Sequence, residues 1–320
     1  MERNELVQSV RQTLISAGFY VSDLYSIRLP GFDLVGRRDN DLLIIKVLTN
    51  IDAFSDDVAT ELKTLSSLLN ATPLLIGEKT GLNPLEDDVV YFRFGVYAVT
   101  LNTMRDNLLE GIPIRAFAAP GGFYVHLDQE KLQKLRHRQG ISLGTFARHV
   151  RVSRKTAQLY EKGMNAQVDV AARIEDLLDD TITVPIDLMS PPFEGKVPAS
   201  RAQAQDRLKD FQREIFSLLE NVGYKIIPMD RCPFEAVSKE KKQVILTCVH
   251  KYNKNLSTKA SIVSGISKIT EKHAVLVTDK DTDKTNIGGT PLIRKRELKR
   301  FRGPEEVIEL IIERIIESED

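Results

Sequence analysis

The apolar positions of this chain follow two different periods, and the period changes twice. Between Leu127 and Leu178 they recur at three- and four-residue spacing, while on either side they fall in short unbroken or alternating runs. The first spacing puts one face of a helix against a core, and the short runs bounded by turn residues read as strands. The central stretch predicts four helices. The first spans Leu127 to Gln139, with Leu132 and Leu135 inward and Gly140 as its stop. Ser142 caps a second helix that runs through His149, and Ser153 caps a third, each hydroxyl meeting an unpaired N–H of the first turn. Gly163 closes the third. Val168 to Leu178 forms the fourth, with Val170, Ile174, Leu177 and Leu178 inward. Phe146, Val150, Val152, Ala157 and Tyr160 fall where two helices crossing at a short turn bury side chains, and Ala147 is small at the close approach.

The flanks repeat one another. ELVQSVRQTLISAGFYV at 5–21 resembles DFQREIFSLLENVGYKI near 210, with Gly18-Phe19 opposite Gly223-Tyr224. Gly31-Phe-Asp-Leu-Val35 matches Pro233-Phe-Glu-Ala-Val237. The run Leu42–Val47 matches Val244–Val249, and Pro73–Lys79 matches Ala274–Lys280. Polar helical stretches at 55–70 and 257–271 intervene, opened by Ser55 and Ser257. Each copy reads helix, strands, helix, strand, then a terminal strand and helix, which predicts a mixed sheet covered by helices. The expected fold class is therefore α/β plus all-α. An α/β domain over 1–122 and its repeat over 206–320 flank a central helical domain over 126–182. Pro185, Pro191, Pro192 and Pro198 mark 183–205 as a linker. In the last helix, Val307, Ile308, Leu310, Ile311, Ile312, Ile315 and Ile316 make a broad stripe. It is read as a cover for its own sheet, with a dimer contact as the sharper alternative.

Charge sharpens the picture. The 320 residues carry 45 basic and 45 acidic side chains. Yet His126 to Asn165 holds nine lysines and arginines against three acids, a local +6 that leaves −6 elsewhere. A basic module between acidic flanks is the electrostatic footprint of phosphate binding. The apolar run Leu42 to Leu48 is short and interrupted by Lys46, so no membrane span is predicted, and Met1-Glu-Arg-Asn-Glu is no signal peptide. Two cysteines, Cys232 and Cys248, point to a reducing cytoplasm rather than a disulfide or zinc framework. Gly121-Gly122 and Gly288-Gly289 lack a phosphate-loop context and read as turns.

The central spacing, LGTFARHVRVSRKTAQLYEK over 143–162, resembles the Cro/C1 repressor family of helix-turn-helix domains. Arg151 stands where that family often has glycine, in a place that favours a left-handed backbone. The resemblance implies a third helix in the major groove, with Arg154, Lys155, Thr156 and Leu159 toward base edges and Gln158 beside them. Arg148, Arg151, Lys162 and the caps Ser142 and Ser153 would contact or position the phosphate backbone. The whole layout resembles archaeal helix-turn-helix transcriptional regulators of about this length. It implies DNA binding and transcriptional control, with double-stranded DNA as partner. Because Cro/C1-type domains usually bind as dimers, a homodimer on an inverted repeat is expected, and an effector is left open.

Each flank also resembles the core of the PD-(D/E)xK nuclease-like fold, where two carboxylates and a lysine hold a metal and activate water. Here the three positions are Asp33, Ile44 and Lys46 in the first copy, and Glu235, Leu246 and Cys248 in the second. Asp41, three residues from Ile44, points to the other face of a strand. Neither copy keeps the set, so no catalytic residue, cofactor or metal is expected. A divergent metal-dependent nuclease and an interaction adaptor that no longer binds DNA are the alternatives.

Overall fold

The computed structural model of the chain describes residues 2–24, 30–191, 209–280 and 282–316. In chain order the first flank runs α1 (Arg3–Ser16), β1 (Tyr20–Val21), β2 (Leu34–Arg38), β3 (Asp41–Asn50), α2 (Asp56–Leu69) and β4 (Thr72–Thr80). It continues through β5 (Asn83–Pro84), β6 (Val89–Arg93), β7 (Val96–Val99), α3 (Leu101–Leu109), β8 (Ala116–Ala119) and β9 (Gly122–Leu127). The central helices are α4 (Gln129–Arg138), α5 (Leu143–His149), α6 (Arg154–Tyr160) and α7 (Val168–Leu178), with β10 (Ala166–Gln167) before α7 and β11 (Thr183–Val184) after it. The second flank holds α8 (Asp210–Val222), β12 (Lys225–Pro228), β13 (Ala236–Glu240), β14 (Gln243–His250), α9 (Leu256–Thr270) and β15 (His273–Thr278). β16 (Asn286–Ile287), β17 (Thr290–Pro291), α10 (Lys295–Leu298) and α11 (Pro304–Ile316) follow. The protein is mixed α/β.

Two compact units result. One comprises Met1–Glu2, Leu48–Ala53 and Leu74–Pro192; the other comprises Arg3–Val47, Phe54–Pro73 and Phe193–Asp320.

In the unit that contains the central helices, β4 pairs parallel with β7, β7 antiparallel with β6, and β6 parallel with β8. β9 then pairs with β8, β10 and β11, all antiparallel. Leu132, Leu135, Phe146, Val150, Ala157, Tyr160, Ile174 and Leu178 form one buried cluster with Val125 and Leu127 of β9. The helices therefore close over a strand, not only over one another. Thr183, expected to open a linker, instead lies in β11, and Ile186 bridges to Ile114. Ile182, Ile186 and Leu188 are buried, while Val184 between the first two is exposed, so the sequence alternation is broken here. Residues 192–205 of the expected linker lie outside the described residues.

The other unit brings parts of both copies together. β1, β2 and β3 are antiparallel, and Val35 faces Ile44. β12, β13 and β14 repeat that order, with Val237 facing Leu246, and β15 adds parallel to β14 through the α9 crossover. Helix α9 packs on β2. The Gly31 N–H donates to the Arg231 carbonyl at 3.0 Å, and the Arg231 N–H donates to Glu61 Oε1 at 2.6 Å. A Cβ on Gly31 would lie 2.8 Å from that carbonyl, so the approach requires glycine. Burial, first of all, raises the Glu61 carboxyl above its ordinary range. The apolar stripe of α11 covers its own sheet. Val307, Ile308 and Ile311 are buried against Val275, Val277 and Ile293, with Leu310 and Ile315 at the edge. Only Ile312 and Ile316 of the stripe stay exposed. Gly121-Gly122 and Gly288-Gly289 all have positive φ at hairpin turns, as their sequence context predicts.

Candidate nucleic-acid interface

Side-chain caps open α4, α5 and α6, whereas α7 starts after Gln167 without one. Asp128 accepts from the Lys131 N–H at 2.9 Å, Ser142 from the Thr145 N–H at 3.1 Å, and Ser153 from the Thr156 N–H at 3.0 Å. The Ser142 and Ser153 hydroxyls also share hydrogen bonds with the Thr145 and Thr156 hydroxyls. The caps thus set where α5 and α6 begin. Gly140 and Gly163 end their helices at φ 66° and 89°.

Between α5 and α6 the chain turns at Arg151, whose φ is 57°. The Val152 N–H closes the turn onto the Ala147 carbonyl at 3.0 Å, and Arg173 of α7 donates to the Val150 carbonyl at 3.1 Å. In α6, Ala157 and Tyr160 point inward while Arg154, Lys155, Gln158 and Leu159 are exposed, with Thr156 half-buried. Arg148, Arg151 and Lys162 are exposed as well. Burial raises the Tyr160 hydroxyl above its ordinary pKa, consistent with a core position.

The three acids of the basic stretch are all engaged. Asp128 caps α4, Glu130 pairs with Lys134 at 3.4 Å, and Glu161 pairs with Arg136 at 2.5 Å. The last pair is buried: the Arg136 side chain is 9 % exposed, and it also donates to the Ile141 carbonyl at 2.7 Å. Arg136 therefore binds the fold together and is no surface charge, a role that nothing in its sequence spacing signals. Lys131 pairs with Asp180 at 2.8 Å, and that hydrogen bond, more than any other cause, holds the Asp180 carboxyl below its usual range. Arg138 adds its charge to that effect on Asp180 without an ion pair, and Arg148, Arg151, Arg154, Lys155 and Lys162 remain as cations with no acidic partner among the described residues.

The nuclease-like positions form a different arrangement. Asp33 Oδ2 accepts from the Val47 N–H at 2.8 Å and lies 3.4 Å from Lys46 Nζ, while Oδ1 accepts from Arg3. The side chains of Asp33 and Lys46 are 6 % and 5 % exposed. Ile44 is fully buried, and Asp41 sits at the hairpin end opposite Arg38. In the second copy, Glu235 Oε2 accepts from the Val249 N–H at 2.8 Å, at the same fourteen-residue separation. Cys248 occupies the lysine's place, and burial pushes its thiol well up. Its missing cation comes from Lys259 of α9, which pairs with Glu235. Both oxygens of each acid are thus engaged by internal donors. A hard divalent ion needs several free oxygen ligands, and these donor sets do not fit one. Among the described residues no three His, Cys, Asp or Glu side chains converge as metal ligands, and no helix is long and apolar enough to cross a membrane.

Residues 3–114 match the model of the PD-(D/E)XK superfamily domain. Similar proteins span the whole chain. One from Natronomonas pharaonis is 37% identical over 316 residues, covering 98% of this chain and 99% of its own. One from Methanosarcina barkeri is 34% identical over 320 residues, covering 98% of each. One from Halorubrum lacusprofundi is 35% identical over 317 residues, again 98% of each. All three bear the name "Putative HTH-type transcriptional regulatory protein". No solved structure matches the chain. Because the similarity runs along nearly the full length of the chain and of each relative, the chain belongs to their archaeal family of HTH-type transcriptional regulatory proteins.

Proposed function

We propose that the chain is a sequence-specific DNA-binding transcriptional regulator whose residues 126–182 are a Cro/C1-type helix-turn-helix domain. The observation that carries this reading is the outward face of α6 and its surroundings. Arg154, Lys155, Gln158 and Leu159 are exposed, and the neighbouring cations have no acid to neutralise them among the described residues. Arginine takes guanine bidentately, and Leu159 suits a thymine methyl. Arg148, Arg151 and Lys162 would hold phosphates and fix register, with Ser142 and Ser153 setting the helix starts. Residues 1–122 and 206–320 are the two α/β copies, a platform for dimerisation or effector sensing. Two protomers would then meet half-sites about 34 Å apart. The names of the relatives support the regulatory part of the reading.

The test is a selection from a random duplex library with the purified chain at two salt concentrations. An enriched inverted repeat is expected. Binding that vanishes with salt and enriches nothing would reduce the interaction to backbone contact.

A second reading rests on the match of residues 3–114 and on the retained Asp33 and Lys46. It is a divergent metal-dependent nuclease. Supercoiled plasmid incubated with Mg²⁺ or Mn²⁺ is expected to stay intact; cutting that Asp33→Ala abolishes would establish the nuclease instead.

A further inference from the structure

The second α/β copy carries a basic concentration that the reading above does not use. Six of the nine residues from Arg294 to Arg302 are basic, and the one acid is Glu297. Glu297 faces inward: it accepts from the Arg294 N–H at 2.7 Å and from Arg314 Nη2 at 2.6 Å, and Arg314 is itself buried and bonded to the Leu292 carbonyl. Burial works against the Glu297 charge, but the bonds and charges of Arg314 and Arg294 outweigh it and hold the carboxyl below its ordinary range. The acid is consumed in anchoring α10 to α11. Lys295 pairs with Glu214 at 2.5 Å. Arg296, Lys299, Arg300 and Arg302 stay exposed with no acidic partner among the described residues.

Arg296 and Lys299 line a concavity of about 370 Å³ at the carboxyl end of β15, and Arg300 and Arg302 follow them directly along the chain. Lys280, Arg294, Lys295, Arg296 and Lys299 line it, with Asp279 as its only lining acid among the described residues. Asp279 is occupied too, accepting from the Tyr252 N–H at 2.8 Å and from the Thr278 hydroxyl. Lys280 lies 5.0 Å over the Tyr252 ring. Cations gathered around one hollow repel one another, and that repulsion is relieved when an anion with several charges replaces their loose counterions.

We propose that this pocket, with the run through Arg300 and Arg302 that continues from it, binds the phosphates of an extended polyanion, the backbone of a nucleic acid, through residues other than those of α5 and α6. The continuation of exposed cations beyond the pocket favours a chain of phosphates over a single one. Interactions of this kind carry no sequence information. They would add affinity and salt dependence to whatever the central helices select.

The experiment measures binding of the full-length chain to a short random-sequence duplex by fluorescence anisotropy across a salt series. Three double variants are compared with the parent: Arg296→Ala with Lys299→Ala, Arg300→Ala with Arg302→Ala, and Arg154→Ala with Lys155→Ala. Each of the first two pairs is expected to reduce the slope of log K against log salt by about 1.8, because every phosphate left without its cation lowers the slope by about 0.9. All six residues are exposed, so unchanged melting temperatures are expected alongside. A slope and affinity equal to the parent's in both of the first pairs overturns the proposal, whatever the third pair does. A fall in those pairs with none in the third upholds the proposal and instead undermines the reading of α6. Sodium tripolyphosphate serves as a small competitor. If the Arg296/Lys299 pair abolishes tripolyphosphate binding while duplex binding stays intact, the nucleic-acid assignment is overturned in favour of a free polyphosphate.

Discussion

Arg154 and Arg151 lie three residues apart and illustrate two different constraints on one basic segment. Arg154 begins α6, exposed and without an acidic partner among the described residues. If it reads a base, Arg154→Ala weakens binding to the selected site by about 1–3 kcal/mol and binding to random duplex much less. Equal losses on both duplexes would make it a phosphate contact. Arg151 pays a backbone cost for its place, since φ of 57° is left-handed. Glycine adopts that conformation freely, so Arg151→Gly is expected to stabilise the fold by up to about 1 kcal/mol by thermal melting. The same substitution should lower the salt slope of DNA binding by about 1 if Arg151 holds a phosphate. Stability and affinity would then move in opposite directions at a single position.

At the scale of elements, the two copies show how a strand pair keeps its geometry after its chemistry has changed. Asp33 and Glu235 each tie their own strand to the next through a main-chain N–H, and each meets a cation from a different source. Removing one member of a buried, hydrogen-bonded ion group leaves its partners uncompensated. Asp33→Ala should therefore cost about 3 kcal/mol in a denaturant titration. A fully stable variant would contradict this structural role. Helix α11 makes a second contrast. Ile311→Ala removes a fully buried side chain and is expected to cost about 2–5 kcal/mol. Ile316→Ser, at a position 59% exposed, should fall within about 0.5 kcal/mol of the parent. A charge at Ile311 therefore probes folding, and a dimer contact on this helix would have to use Ile312 and Ile316. Comparable losses at Ile311 and Ile316 would show that the outer edge is covered as well.

For the whole molecule, stability should respond to mild acid through His273. Burial at the start of β15, and then the Lys272 charge, lower its pKa from 6.5. A base whose folded pKa is depressed favours the fold in its neutral form. Its contribution is complete above pH 6.5 and is lost as pH falls through the lower, folded value. Melting of the parent should decline over that window more steeply than melting of His273→Gln. Parallel curves would assign the acid response elsewhere.

Much of this molecule was written locally. The bounds of α5, α6 and α7 follow from Ser142, Ser153, Gly163 and apolar residues three or four apart, because caps and helical periods act within a few residues. The repeat, its hairpins and the inward faces of β2, β3, β13 and β14 were legible for the same reason. The acid-poor basic segment was legible as composition. The sequence could not say which of its charges are surface charges. That Glu161 silences Arg136, that Asp180 holds Lys131, and that Glu297 turns inward to Arg314 are matters of residues 25, 49 and 17 positions apart. Likewise, β11 looked like a linker until β9 supplied its hydrogen-bonding partner. Lys259 could not be matched to Glu235 until α9 crossed back over the sheet. Period, cap and turn are settled by neighbours along the chain. Which charge is buried, which is paired and which still faces water is settled only when distant segments exclude solvent together.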